Sequence, residues 1–205
     1  MEDILDLYAE ADDPYYPVAC FDECPYQLIG HTRQPLPPQP GRRQRYDYHY
    51  RREGTCNLFI FFCPRRCWRH LVVTDQRTKR DFAYQMRALV DVYFPDALKI
   101  RLVLDNLNTH VAAALYETFE PAEARRILRR LEFHFTPVHA SWLNMVELEL
   151  AVLSRQCLDR RLDTLSRLRA EIGIWQAERN AQQATVLWRF TCETARDKMK
   201  RLYPS

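Results

Sequence analysis

The hydrophobic pattern of this chain changes period once, and that change limits the architectures open to it. Early apolar residues form short strand-like runs at 18–22, 57–63 and 68–74, with turn residues Pro64 to Arg66 between the last two. Across 45–52, Tyr46, Tyr48 and Tyr50 alternate with Asp47, His49 and Arg51, which predicts a further strand with one aromatic face. The spacing then becomes helical: Phe82, Met86, Leu89, Val90 and Tyr93 make one stripe, and Pro95 follows as a stop. Beyond it, 100–104 reads as a strand buried on both faces. Pro121 opens a helix with Ala124, Ile127, Leu128 and Leu131 on its inner side, and 132–136 alternates as a strand. A short acidic helix at 2–10 precedes the strands, and amphipathic helices (Leu165, Leu168, Ile172, Trp175) fill the end. Three strands in hairpin order followed by alternating helix and strand predict an α/β fold, a mixed sheet flanked by helices. The stretch 32–41, with four prolines, reads as a linker or an exposed hairpin arm.

Composition removes several function classes. The four glycines of the 205 residues, Gly30, Gly41, Gly54 and Gly173, are too scattered for a phosphate-cradling loop. The longest apolar run, 58–63, is too short to span a bilayer. The acidic N-terminus has no secretory pattern, so a cytoplasmic protein is expected. Only four of the 30 basic residues are lysines, the rest arginines, whose planar fork matches phosphate oxygens; a GC-rich genome would produce the same bias, and a net charge of +3 does not decide between them. Seven cysteines, with no export signal, read as free thiols. Cys20/Cys24 and Cys63/Cys67 share a spacing that could hold zinc, or they are structural thiols in apolar runs.

Three carboxylates stand out by position. Asp22 closes the first strand run, and Asp105 closes the buried strand, where ligands of α/β sheets usually bind. Glu147 falls at the third position of a helix if Asn144 is its cap. Each has an ordinary reading: Asp105 can cap a turn, and Glu147 can satisfy the backbone amide of Asn144. Brought to one point, however, three acids repel each other unless a cation neutralises them, and hard oxygen ligands select Mg²⁺ or Mn²⁺. Strand alternation sends Asp22 and Glu23 to opposite faces, so only one can join the site. Glu149 competes with Glu147 but points some 200° away from it.

The strings DNLNTH (105–110), FTPVHASWLNMVELE (135–149), LSRQCLDRR (153–161) and WRFT…ARDKMKRLYP (188–204) occur in this order. Through them nearly the whole chain resembles the DDE transposases of bacterial insertion sequences, in the mariner superfamily, whose catalytic domain has a ribonuclease H-like fold. The resemblance implies a catalytic domain at 18–162, after a lead at 1–17 and before a C-terminal helical extension at 163–205. It implies that Asp22, Asp105 and Glu147 bind two Mg²⁺ (or Mn²⁺) ions, Asp22 bridging both. The interval from Asp105 to Glu147 is longer than in compact mariner relatives, and the helix at 121–131 could be an insertion.

The implied activity is metal-dependent cleavage and strand transfer on double-stranded DNA by a homodimer, in a bacterial nucleoid. Family members usually carry helix-turn-helix modules ahead of the catalytic domain. A first acid at residue 22 leaves no room for one, so a separate helix-turn-helix polypeptide is expected, or else an inactive fragment. The remaining rival is a non-catalytic nucleic-acid-binding module stapled by zinc on Cys20, Cys24, Cys63 and Cys67. Arg42, Arg43, Arg45, Arg51 and Arg52 are candidate phosphate contacts and their tyrosine neighbours candidate base-stacking groups; the plainer alternative packs the tyrosines on the sheet and solvates the arginines. Asn106, Asn108 and His110 could orient water or substrate beside Asp105, or only hydrogen-bond within their loop. Arg125, Arg126, Arg129 and Arg130 form a basic helix face, read as solvated, and Trp142 is expected to pack its loop on the core.

Overall fold

The longest apolar alternations build the centre of a five-stranded sheet. A computed structural model of the chain describes residues 1–202; Tyr203 and Pro204, which close the last family string, lie outside the described residues together with Ser205. Strand β1 (Val18–His31) pairs antiparallel with β2 (Tyr50–Cys63), and β2 pairs antiparallel with β3 (Trp68–Thr74). Strands β4 (Ile100–Leu104) and β5 (Leu131–Phe135) add in parallel on the other side of β1, giving the order β3-β2-β1-β4-β5. This is the expected mixed α/β sheet.

Each face of the sheet has its own core. On one, Val18, Cys20, Leu58, Ile60 and Phe62 meet helices α1 (Glu2–Ala9), α5 (Val146–Leu153) and α6 (Leu165–Ala181). On the other, Ala19, Phe21, Phe59 and Phe61 meet α2 (Lys79–Ala88), α3 (Ala112–Thr118) and α4 (Pro121–Arg129). A short last helix, α7 (Cys192–Lys198), lies against α1. A one-residue slip of β1 would exchange these two sets of side chains, so burial on both faces fixes the register. Strand β4 serves both cores, Val103 on the first face and Leu102 and Leu104 on the second, which explains its unbroken apolar run.

Local signals account for most boundaries. Thr78 and Asp81 cap α2 reciprocally, Asp81 N–H donating to Thr78 Oγ1 (3.2 Å) and Thr78 N–H to Asp81 Oδ2 (2.8 Å). The apolar stripe continues past α2 through a wide turn at Leu89–Tyr93. Pro121 stands at the first position of α4. Leu131, expected on that helix, instead begins β5: α4 ends at Arg129, and Leu131 pairs with Ile100.

Two expectations about the hairpin fail. The first strand does not end at Asp22 but runs on to His31, because β2 is long enough to pair along its whole length. A bulge between Leu28 and Ile29 is absorbed opposite by Gly54, whose φ of +122° suits glycine. The strand expected at 45–52 contributes only its last residues, from Tyr50 onward. Tyr46, Tyr48 and Tyr50 are exposed rather than packed on the sheet. The guanidinium of Arg161 donates to the carbonyls of Asp47, Tyr48 and His49, taking acceptors that a strand ladder would have used. Residues 32–49 are thus an arm tied down by Arg161, with isolated bridges Leu36–Arg45 and Gln39–Arg42.

Candidate active site

Strand alternation puts Asp22 and Glu23, consecutive in β1, on opposite faces of the sheet. Asp22 continues the Val18–Cys20 row toward α5, and Glu23 continues the Ala19–Phe21 row toward α2. Strand β4 runs parallel to β1 with Cys20 opposite Val103, so Asp105 leaves the sheet level with Asp22. Asn144 then fixes the start of α5: its Nδ2 donates to the Phe21 carbonyl (2.9 Å), and its buried side chain ties α5 to β1 one residue before Asp22. A cap at Asn144 would make Glu147 the third residue of the helix, and that condition is not met. The Asn144 Oδ1 accepts only a long bond from Val146 N–H (3.4 Å), because the amide is spent on β1 and Met145 takes the cap position. Glu147 is therefore the second residue of α5, still in its first turn.

The three acids charge one another. Burial pushes the Asp22 carboxyl up to about 7, against the Glu23 amide that donates to its Oδ1 (2.8 Å), and the charges of Glu147 and Asp105 push the same way. Burial also raises Glu147, with Asp105 adding to it. Among the described residues no three His, Cys, Asp or Glu side chains form a closed metal-ligand cluster, so the carboxylates interact across space rather than as a finished cage. Their chemistry nevertheless suits a hard divalent cation: all three offer carboxylate oxygens. The neighbouring Cys24 thiol, pushed up to about 11 by burial and then by Asp22 and Glu147, stays protonated and is no competing soft ligand.

Asp105 differs from its partners. His110 holds its carboxyl below the usual range, with Nδ1 2.6 Å from Oδ1 and 3.3 Å from the Asp105 carbonyl. Nδ1 thus lies between the two Asp105 oxygens, meeting the carboxylate at the shorter distance and the carbonyl at the better angle. On its other side His110 Nε2 lies 2.6 Å from Glu23 Oε2. The ring is fully buried between Phe21 and Phe82, at 5.3 and 5.0 Å between centroids. Burial opposes a charged imidazolium, but Asp105 and Glu23 together outweigh it and carry His110 up to about 9. Only one acid of the pair was expected to join the site. Glu23 does face away, yet it reaches Asp105 through His110, and only the i, i+5 spacing of Asp105 and His110 hinted at half of that link.

Other candidates separate cleanly. Glu149 is fully buried and paired with Arg69 (3.2 Å, itself fully buried) and Arg179 (2.7 Å), so it anchors α5 to β3 and α6 and is remote in role from Glu147. Asn106 and Asn108 are exposed. The zinc staple is overturned: Cys20 faces Phe62 across the ladder, so Cys63 projects from the opposite face, and the two thiols lie in different cores. Arg42, Arg43, Arg45 and Arg52 are exposed on or beside the arm, and Arg51 donates to Glu53 (2.5 Å). The basic face of α4 is divided: Arg126 is held by Asp91 and Glu123, Arg130 by the carbonyls of Phe94, Pro95 and Ala97, while Arg125 and Arg129 are exposed. Trp142 packs on Trp188 and Phe190 but remains 40% exposed.

A mixed sheet of this order, with one acid within β1, one just past the end of the adjacent parallel strand β4 and one on a following helix, has the ribonuclease H-like architecture. The same fold occurs in the Mos1 mariner paired-end complex with Mn (TM-score 0.59, 16% identity, covering 89% of this chain and 55% of that one). It occurs also in the Mos1 transposase paired-end complex with the left transposon end (0.54, 15%, 82% and 51%) and in the mariner Mos1 paired-end complex with Mg (0.52, 14%, 91% and 61%). The chain thus spans between 51% and 61% of the length of these Mos1 chains. No curated protein sequence matches it. The family described as DDE superfamily endonuclease matches residues 17–169, and the chain belongs to that family.

Proposed function

We propose that residues 18–162, with the helices that follow packed on their sheet, are the catalytic domain of a DNA transposase that cleaves and joins DNA with two divalent cations, Mg²⁺ or Mn²⁺. One observation carries this reading: β1, the end of β4 and the first turn of α5, which Asn144 ties to β1, bring Asp22, Asp105 and Glu147 to one region, where burial first and then the charges of Glu147 and Asp105 raise the Asp22 carboxyl to about 7. The family and the fold support it, as does the fact that similar Mos1 structures are of paired-end complexes with Mn and with Mg.

In this reading Asp22, Asp105 and Glu147 would hold the two ions, with Asp22 in the position that the family resemblance makes the shared one. When bound, the ions stabilise charge on the attacking and leaving oxygens of a phosphodiester. The protein supplies placement: Asn144 fixes α5 against β1, and His110 holds one oxygen of Asp105. The chemistry is two exchanges at phosphorus. Water first replaces the 3′ oxygen at the element's end; the freed 3′-hydroxyl then replaces a 3′ oxygen in target DNA.

Double-stranded DNA is accordingly the substrate, bound by a homodimer. The arm arginines Arg42, Arg43, Arg45, Arg51 and Arg52 contact phosphates, and the exposed Tyr46, Tyr48 and Tyr50 are available to stack on unpaired bases. A separate helix-turn-helix polypeptide is the proposed partner for recognising the element's ends. The setting is a bacterial nucleoid; among the described residues no helix is long and apolar enough to cross a membrane. Mg²⁺-dependent nicking of DNA carrying the element's ends tests the proposal, and Asp105→Asn and Glu147→Gln variants that cut as well as the parent would refute it.

A further inference from the structure

Glu23 faces the opposite side of the sheet from Asp22, yet it is only 7% exposed, so its carboxyl group is buried. Around it are His110 (Nε2 to Oε2, 2.6 Å) and, farther off, Arg77 (3.9 Å from Oε1). Burying a carboxylate of this kind is unfavourable unless it is paired, and its close partner is one histidine. That histidine spends its second nitrogen on Asp105. The row Glu23–His110–Asp105 therefore crosses from one face of the sheet to the other between β1 and the loop after β4, walled by Phe21 and Phe82.

We infer that Glu23 is a positioning residue for the metal site: it fixes the His110 ring, and His110 fixes the Asp105 carboxylate so that one oxygen is held by the protein and the other is left for a cation. This rests on the metal-dependent reading above. A freely rotating Asp105 would have to be ordered at each binding event, whereas a clamped one is ordered in advance. Partners that orient a metal-ligating side chain typically cost 10–100-fold in affinity when removed.

The geometry allows a test that a merely structural pair would fail. An asparagine amide reaches roughly where a histidine Nδ1 lies, and a glutamine amide roughly where Nε2 lies. His110→Asn keeps a donor toward Asp105 and gives up Glu23; His110→Gln keeps a group toward Glu23 and gives up Asp105. Free Mn²⁺ would be followed by electron paramagnetic resonance during titration of the full chain, with thermal melting of each variant to establish that it is folded. Asp105→Asn should lose most Mn²⁺ binding. His110→Gln should weaken it roughly 10-fold or more, His110→Asn clearly less, and Glu23→Gln by a few-fold in the parent but not further on top of His110→Gln.

Equal losses in the two His110 variants, or a Glu23→Gln effect that adds fully to His110→Gln, would overturn the inference. So would unchanged Mn²⁺ affinity in folded Glu23 and His110 variants while Asp105→Asn loses it, which leaves the metal site standing and the relay wrong. Parent-like binding by Asp105→Asn would instead sink the metal site itself.

Discussion

The two faces of β1 carry the same chemistry to opposite ends. On the α5 side, burial raises the Asp22 carboxyl to about 7, and the like charges of Glu147 and Asp105 push it the same way. On the α2 side, Glu23 is just as buried but meets His110, which is carried up to about 9 by its two carboxylate partners. One face pairs its buried acid within the protein; the other leaves its acids facing each other. A fold gains nothing in stability from the second arrangement, which is why an uncompensated cluster marks a site and a compensated one marks its support.

The sharpest way to break this contrast is to neutralise each acid in turn. Asp22→Asn should reduce Mg²⁺-dependent DNA nicking by at least about 1,000-fold if Asp22 is a metal ligand as proposed. Glu23→Gln, which acts through two intermediaries, should reduce it only about 10-fold. Equal losses would mean that the two faces are not functionally distinct. The same logic applies along α5. Glu149→Ala should destabilise the fold by about 3–5 kcal/mol by stranding Arg69 and Arg179, lowering the melting temperature by roughly 10 °C. Glu147→Gln should leave thermal stability unchanged or slightly raised while removing nicking.

This contrast explains how far the sequence could be read. The sheet was legible because its strands are buried on both faces, and double burial writes continuous apolar runs such as 57–63 and 100–104. Asp105 and Glu147 were legible because each ends or begins an element. Glu23 was not: its partner lies 87 residues away, and no local period encodes a contact between a strand and the loop after a parallel neighbour. Asn144 stands where a helix cap could be, but its amide is taken by a tertiary bond to Phe21 that no local signal marks. The tyrosines at 46–50 alternate like a strand, yet alternation needs a neighbouring ladder, and Arg161 occupies those carbonyls instead.

The pH dependence of stability sharpens the comparison further, since the two faces respond with different windows. Asp22 is raised in the folded state from 3.8 to about 7, so the metal-free protein should lose stability as pH rises from about 4 to 7. Asp22→Asn should therefore stabilise the metal-free fold by up to about 4 kcal/mol at pH 8 and by almost nothing near pH 4; Mg²⁺ should raise the melting temperature of the parent at pH 8 but not that of the variant. His110 is raised from 6.5 to about 9, so its contribution is complete below about 6.5 and disappears as pH climbs through 9. His110→Gln should flatten the loss between pH 7 and 9 and leave the acidic window intact. Thermal melts across pH 4–10 separate the two, and a single shared window would merge the faces into one titrating unit.

The smallest effects belong to the arm, which extends β1 and β2 beyond both faces. Its arginines are exposed, so each contributes through released counterions rather than desolvated contacts. Replacing Arg42, Arg43 or Arg45 singly with alanine should weaken DNA binding only a few-fold at physiological salt and reduce the salt-dependence slope by about one per residue. Mn²⁺ affinity should be unchanged, because none of the three touches the acids. Arg161→Ala provides the complementary measurement: it leaves every arm arginine in place but releases the carbonyls of Asp47, Tyr48 and His49. If presentation of the arm matters, affinity should fall with the slope reduced by no more than one; if only charge count matters, Arg161→Ala and Arg42→Ala should be indistinguishable. A slope that ignores all four substitutions would remove the arm from the DNA interface and leave substrate binding to the sheet's own edge.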